Sequence, residues 1–563
     1  MVIVATPTIS GSGTVTGVFT NPAGDILAIA STFPLLVNPP GRAAYAGQRL
    51  RQRLALHRRG EVAPFAVFDA ARLPINDVSF HPRDPVIAVG AGSYDGGYLF
   101  EGELWLWDWR ADRAWQPVKA VPEVERCRFT GDGRQLHVLV RPWDEEWGGA
   151  ERADDPFERL YPAWIAYEAP ASANPADIVL DAAAMITRDT MPAAGGSPRS
   201  EAIERCLKDW LAVEGLCWRG AVWGVAWLDA DRIGAVHDGC LLEVHDVAAG
   251  SVRRFREEGR YGAAILRTSP PVVVTHARSR RGGEDTCLLR FTGEALVETA
   301  RFEGNYTFSS ASDGALVGRL DRHRAGRAKA DVILSSASAE PRRVDLGHYD
   351  CFNHFLGIDG APDLFILQGT PPSSHENKRL CRVQADGTAR TLWPLLPTDR
   401  GHASHAMECL GCHVEDALGP AVILAGRHYD PDPQKGERGF LFRRSVAPRS
   451  AQRAGLSGWL PQTAVPADAW RHATAAVASA MAFLPAEGLI AVAFLDGRLS
   501  LLNAIDGTAV VTGEVTLGGF PSVIYAMDGH DERLALGMFD GRIVVVAIDA
   551  LKAGADDGRI ALG

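Results

Sequence analysis

With 563 residues, 46% of them apolar and 23% charged, the chain has material for a large buried core and the make-up of an ordinary globular protein. A formal net charge of −11 argues against general nucleic-acid binding, which needs a basic surface to displace counterions from phosphates. No apolar run approaches the roughly 20 residues that span a bilayer, so the partners to expect are other proteins, with no nucleic acid and no membrane.

The first residues, Met1-Val2-Ile3-Val4-Ala5-Thr6-Pro7, carry neither a basic n-region nor an apolar h-region, so no secretory signal is expected. Nine cysteines, an odd number and mostly far apart, fit reduced thiols in a cytoplasmic protein better than a disulfide framework. Arginine far outnumbers lysine, and with abundant Ala and Gly this is the bias of a high-GC bacterial genome. The 58 Gly and 34 Pro are spread along the whole length, which suits many short strands and turns.

In chain order, residues 1–5 form a short strand-like run that could complete the last repeat, near Ile543. A basic stretch runs through Arg42, Arg49, Arg51, Arg53, Arg58 and Arg59, and between Arg49 and His57 it has period two, so that a strand would show a basic face opposite Leu50, Leu54 and Leu56. It reads as a solvated outer strand or, alternatively, as a patch for anions or an acidic partner. From Ile75 a fuller unit is legible. Val78-Ser79-Phe80 is a first strand, His81-Pro82-Arg83-Asp84 a turn, residues 85–91 an apolar second strand, and Glu103 to Trp109 a third.

This unit resembles a WD40 repeat, with Phe80-His81-Pro82 after the first strand and Trp107-Asp108 closing the third. Looser copies cover most of the chain: 17–32, 124–140, 223–246, 264–291, 306–344, 352–392, 409–442, 480–505 and 523–548. The resemblance implies an all-β chain, a β-propeller of four-stranded antiparallel blades. About eight to ten units follow one another, roughly 45 residues apart where nothing intervenes. A single large ring over 1–563 is preferred to two smaller or open ones. Middle strands, covered on both faces, should be continuous apolar runs.

One insertion, 182–218, predicts a helix. Ser197 can cap it, Pro198 suits its first turn and Gly215 can stop it. Ile203, Cys206, Leu207, Trp210 and Leu211 share one face, which packs on the propeller or docks a partner.

Three sites stand out. Trp143 and Trp147 lie in an acidic segment with Glu145, Glu146, Glu151, Asp154 and Asp155; with Trp210 they are the candidate partner-binding residues, because Trp carries large contact energy. His402, His405, Cys409 and Cys412 offer four ligands of zinc type if the chain turns there. Cys409-Leu410-Gly411-Cys412-His413 also resembles the attachment string of c-type haem. No cofactor is expected, since there is no export signal and an extended strand would separate the two thiols. The elbow, phosphate-loop, metalloprotease and dinucleotide strings are absent, so no catalytic residue is assigned. The leading function is a non-catalytic scaffold or adaptor. The alternatives are a hydrolase or lyase with its site at a channel mouth, and a metal or haem protein.

Overall fold

The computed structural model describes residues 2–5, 9, 14–33, 51–94, 100–117, 121, 123–140, 165–170, 185–186, 200–212, 219–237, 239–277, 285–304, 306–310, 316–320, 329–336, 339–348, 356–367, 379–383, 389–395, 405–429, 438–447, 466–517, 520–553, 555–556 and 558–562. Among them are ten sheets, nine of four antiparallel strands and one extended to seven, with two helices. Four-stranded antiparallel meanders are what the repeat pattern leads one to expect, in about the expected number of copies. Neither helix is long and apolar enough to cross a membrane.

Two compact units emerge, and each is taken by itself. The small unit spans Pro7–Val37 and Gly47–Arg219; the large one has Met1–Thr6, Asn38–Ala46 and Gly220–Gly563. The small unit holds three sheets, with first strands Thr14–Thr20, Ile75–Phe80 and Val124–Phe129. Those of the large unit, sheets one to seven here, begin with Val222–Trp227, Arg260–Leu266, Tyr306–Ser310, Leu356–Ile358, His405–Val414, Ala478–Leu484 and Ile524–His530.

Every sheet is a meander, so each strand pairs with the next along the chain, with two exceptions at the edges of the large unit. The seventh sheet takes its fourth strand from Val2–Ala5, which runs antiparallel to Ile543–Ala547 with Ile3 opposite Val544. The sixth is extended by Arg559–Leu562, parallel to Ala509–Leu517. Both additions cover strand edges that would otherwise stay open.

Second strands are apolar on both faces because a sheet lies on either side of them. Leu489–Phe494 is buried at every position, and Leu534, Leu536 and Met538 are fully covered. The basic stretch departs from expectation here. Arg51–Arg58 is an inner third strand between Ile26–Phe33 and Ala66–Phe68, and most of its length is buried. Arg53 is half-buried, 3.7 Å from Asp69, and Arg58 faces solvent; the side chain of Arg51 lies outside the description. Arg42 and Arg49 lie outside the described residues.

First strands share a second device. A one-residue bulge interrupts pairing in seven of them, extruding Thr16, Asn76, Glu125, Trp223, Ala263, Ser479 or Tyr525. A bulge bends the strand and re-aims one side chain. Asn76 and Ser479 use theirs to donate to the next sheet, to Val124 O (3.1 Å) and Ile524 O (2.5 Å). Three residues beyond each bulge, Ser79 Oγ and Asp528 Oδ2 accept the N–H of Phe129 (3.0 Å) and Trp227 (2.8 Å). Opposite two of these bulges the second strand has a glycine that receives a valine from the neighbour: Gly90 takes Val124, and Gly537 takes Val222. A Cβ at these glycines would lie 2.6 and 2.5 Å from a valine methyl.

Gly537→Ala is therefore expected to cost on the order of 1–3 kcal/mol through overpacking, read from a chemical-unfolding midpoint. Shortening Val222 to Ala in the same chain makes room for the new methyl, so the double variant should be more stable than Gly537→Ala alone. Additive losses would show that the two side chains do not compete for one space.

Candidate functional site

At the amino-terminal ends of the first strands of the large unit, two neighbouring bulges extrude aromatic residues. Trp223, from sheet one, is 48% exposed. Its indole lies 5.6 Å from the ring of Tyr525, the bulge residue of sheet seven, at 31°. Phe539 meets Tyr525 edge-on at 4.8 Å. It occupies the turn after Arg533–Met538, which is tightly fixed. Phe539 N–H donates to Val523 O (2.8 Å), Met538 N–H to Arg542 O (2.9 Å), and a buried Asp540–Arg542 pair closes at 2.5 Å. Burial pushes the Tyr525 phenol up to about 12, so it stays neutral. The result is a rigid aromatic rim whose indole is about half exposed.

Further along the same strands is an ionic cluster. Arg267 follows Arg260–Leu266 of sheet two. Its Nη2 is 2.7 Å from Asp528 Oδ1 in sheet seven and 3.2 Å from Asp359 Oδ2, in the first turn of sheet four. Asp528 Oδ2 takes the Trp227 N–H from sheet one. The Asp359 backbone exchanges hydrogen bonds with sheet five, from its N–H to Gly411 O (3.1 Å) and from His413 N–H to its carbonyl (2.8 Å). Arg267 and Asp359 are both about two-fifths accessible, whereas Asp528 is 2% exposed. Burial pushes the Asp528 carboxyl up to about 6, against the pull of Arg267. Cys412, nearby, is a buried thiol that desolvation holds protonated, with the charge of Asp359 adding to the effect. A protonated thiol is a poor nucleophile, and metal ligands are thiolates. One guanidinium serving two carboxylates, one of them also capping a backbone N–H, is chemically a fastener between strands.

The residues singled out from sequence are not brought together. Trp143 and Trp147 lie outside the described residues. Trp210 is on the helix α1, Ser200–Leu211, whose apolar face covers its own sheet: Ile203, Leu207, Trp210 and Leu211 bury against Ile9, Val15, Leu27 and Ile29. The Trp210 indole is 9% exposed, beneath Arg59 at 5.5 Å. The helix stops on Ala212, at φ 51°, before the expected Gly215. Ser197, Pro198 and Gly215 lie outside the described residues, as does His402. The stretch carrying the other three ligand candidates is a strand, His405–Val414, with an irregularity between Met407 and Leu410. The side chains of His405 and Cys409 lie outside the description, and Cys412 is core. Among the described residues no group of three or more His, Cys, Asp or Glu is arranged to hold a metal. Trp223 and Tyr525 read in sequence as ordinary first-strand residues; only an aromatic at the second position of the strand, shared by two copies far apart in the chain, hints at the bulge.

No family model matches the chain, and no curated protein matches it. Similar solved structures include the β-propeller domain of Cps50 (Swd1) from Myceliophteria thermophila, at 11% identity over 58% of this chain and 96% of that one, with a TM-score of 0.39. Sqt1 of Saccharomyces cerevisiae is similar at 8% identity over 58% of this chain and 83% of that one, TM-score 0.37. Raptor of Chaetomium thermophilum is similar at 10% identity over 58% and 28%, TM-score 0.39. These likenesses add nothing to the chemistry of the site.

Two outcomes follow from the side chains just placed. The Asp528 carboxyl, raised in the folded state, binds a proton that the unfolded chain has already lost between pH 3.8 and about 6. Stability falls as pH rises through that window, by on the order of 3 kcal/mol. Asp528→Asn cannot ionise, so urea-unfolding curves from pH 4 to 7 should show a shallower pH dependence for the variant; parallel profiles would refute the assignment. Trp210→Ala should destabilise the small unit by about 3–5 kcal/mol as a core truncation, seen in thermal melts. An unchanged melt would mean that the indole is not core.

Proposed function

We propose that this chain is a non-catalytic protein-interaction scaffold that engages its partner through the aromatic rim of Trp223, Tyr525 and Phe539. The observation that carries this reading is the 48% exposure of Trp223, a large aromatic residue held in place by its contact with Tyr525. Trp and Tyr dominate the energetics of protein interfaces because they offer large, stiff contact area at little entropic cost. Fixing the platform beforehand, as the turn behind Phe539 does, lowers the ordering cost of association. In the same proposal the seven sheets of the large unit form a closed propeller, with the Asp528–Arg267–Asp359 cluster fastening it and the rim presented on the other end of the same strands. The partner is a protein with an apolar or aromatic side chain to lay on the indole.

Affinity capture from a lysate of the native organism, with quantitative mass spectrometry, tests this. The wild-type chain should enrich a specific protein, and Trp223→Ala should reduce that enrichment about thirtyfold, the loss expected of an interface hot spot, at an unchanged melting temperature. Capture of the bare chain, or capture by Trp223→Ala equal to that by the wild-type chain, removes the proposal.

A further inference from the structure

The small unit contains a cavity of about 300 Å³ between its first two sheets. It is walled by four turns. Two join first to second strands, at Asn21–Ile26 and His81–Val86, and two follow third strands, at Arg58–Phe65 and Trp109–Arg110. All four are hydrogen-bonded into shape. Asn21 Oδ1 accepts the N–H groups of Asp25 (3.0 Å) and Ile26 (2.9 Å). His81 Nδ1 accepts from Asp84 N–H (2.9 Å), so the ring proton is on Nε2, which donates to Gly133 O (2.9 Å). Phe65 N–H donates to Leu56 O (2.9 Å), and Trp109 N–H to Pro85 O (3.1 Å). The cavity is thus formed before any ligand arrives, as small-molecule sites usually are.

Its chemistry is specific. Phe65 and Trp109 meet edge to face at 5.6 Å and give it an aromatic wall. A guanidinium lies over each ring, Arg58 at 4.9 Å from Phe65 and Arg110 at 5.0 Å from Trp109. Arg83 adds a third cation from the His81 turn. Among the described residues neither carboxylate at the site meets a guanidinium: Asp25 accepts from Asn21 Nδ2 (2.7 Å), and the Asp84 side chain is largely exposed. None of the three arginines pairs with a carboxylate among the described residues. A guanidinium stacked on a ring keeps its N–H fork free at the edge, ready for a planar, bidentate acceptor.

We propose that this cavity binds a small aromatic carboxylate. The flat ring lies against Phe65 and Trp109, and the carboxylate is held by the forks of Arg58 and Arg110, with Arg83 adding charge. A volume near the lower end of ligand sites admits one ring and its acid group. This site and the Trp223 rim rest on different residues, so either can fail alone.

Titration calorimetry of the full chain with benzoate, cyclohexanecarboxylate, inorganic phosphate and an acetylated Asp-Phe-Glu peptide tests it. Benzoate should bind saturably and about tenfold more tightly than the non-aromatic acid or phosphate, because only benzoate offers both a face and a planar anion. Arg58→Ala and Arg110→Ala should each weaken it about fivefold or more, and Arg110→Lys should not restore it, since an ammonium lacks the fork. Both side chains are exposed, so melting temperatures should not change. Absence of saturable benzoate binding, equal affinity for cyclohexanecarboxylate, tighter binding of phosphate or peptide, or full binding by the double Arg58→Ala/Arg110→Ala chain would overturn the assignment.

Discussion

A four-stranded sheet with Leu, Val and Ala on both faces cannot shed that surface from water by itself, and everything else in this molecule follows from how neighbouring sheets are brought close enough to share it. At two seams the approach is set by the same contact. A valine at the head of one first strand fills the space left by a glycine on the sheet before it, as Val222 does at Gly537 and Val124 at Gly90. Backbones that approach so closely leave polar groups facing each other across the seam, and a buried N–H without a partner is costly. Ser79 and Asp528 answer that need from equivalent positions, one neutral and one ionisable.

The same economy separates the parts of the molecule that hold it together from those free to do something else. At most seams the bulge residue is small or polar; where it is Asn76 or Ser479 it is tied to the adjacent strand. At the seam between sheets seven and one the equivalent residues are Tyr525 and Trp223, which pack on each other and leave the indole about half exposed. The polar tie is not lost there but moved three residues along, into the Asp528 carboxylate and on to Arg267.

Much of this architecture could be read from residues alone. Strands 85–91 and 489–494 stood out because continuous apolar runs of that length have few other uses, and Met1–Ala5 was placed beside Ile543 because a repeat short of a strand needs one. The helix face was equally plain, though its periodicity says only that Trp210 is covered, not by what. Bulges stayed hidden: an extruded Trp223 and an in-register one have the same sequence. The basic stretch misled for a related reason, since alternation along Arg51–Arg58 cannot distinguish an outer strand from an inner one whose charges leave through a seam. Clusters such as Arg267 with Asp359 and Asp528 join residues about 90 and 260 positions apart, a separation that local pattern rules do not cover.

The pairing of Val2–Ala5 with Ile543–Ala547 also bears on how the large unit folds. The strands of this one sheet are separated along the chain by more than 500 positions, with the whole small unit encoded in between. Closing so long a loop adds little to the final free energy but delays the last contact. The seventh sheet thus gains its outer edge late, after the three strands of Ile524–Ala547 have paired through short turns.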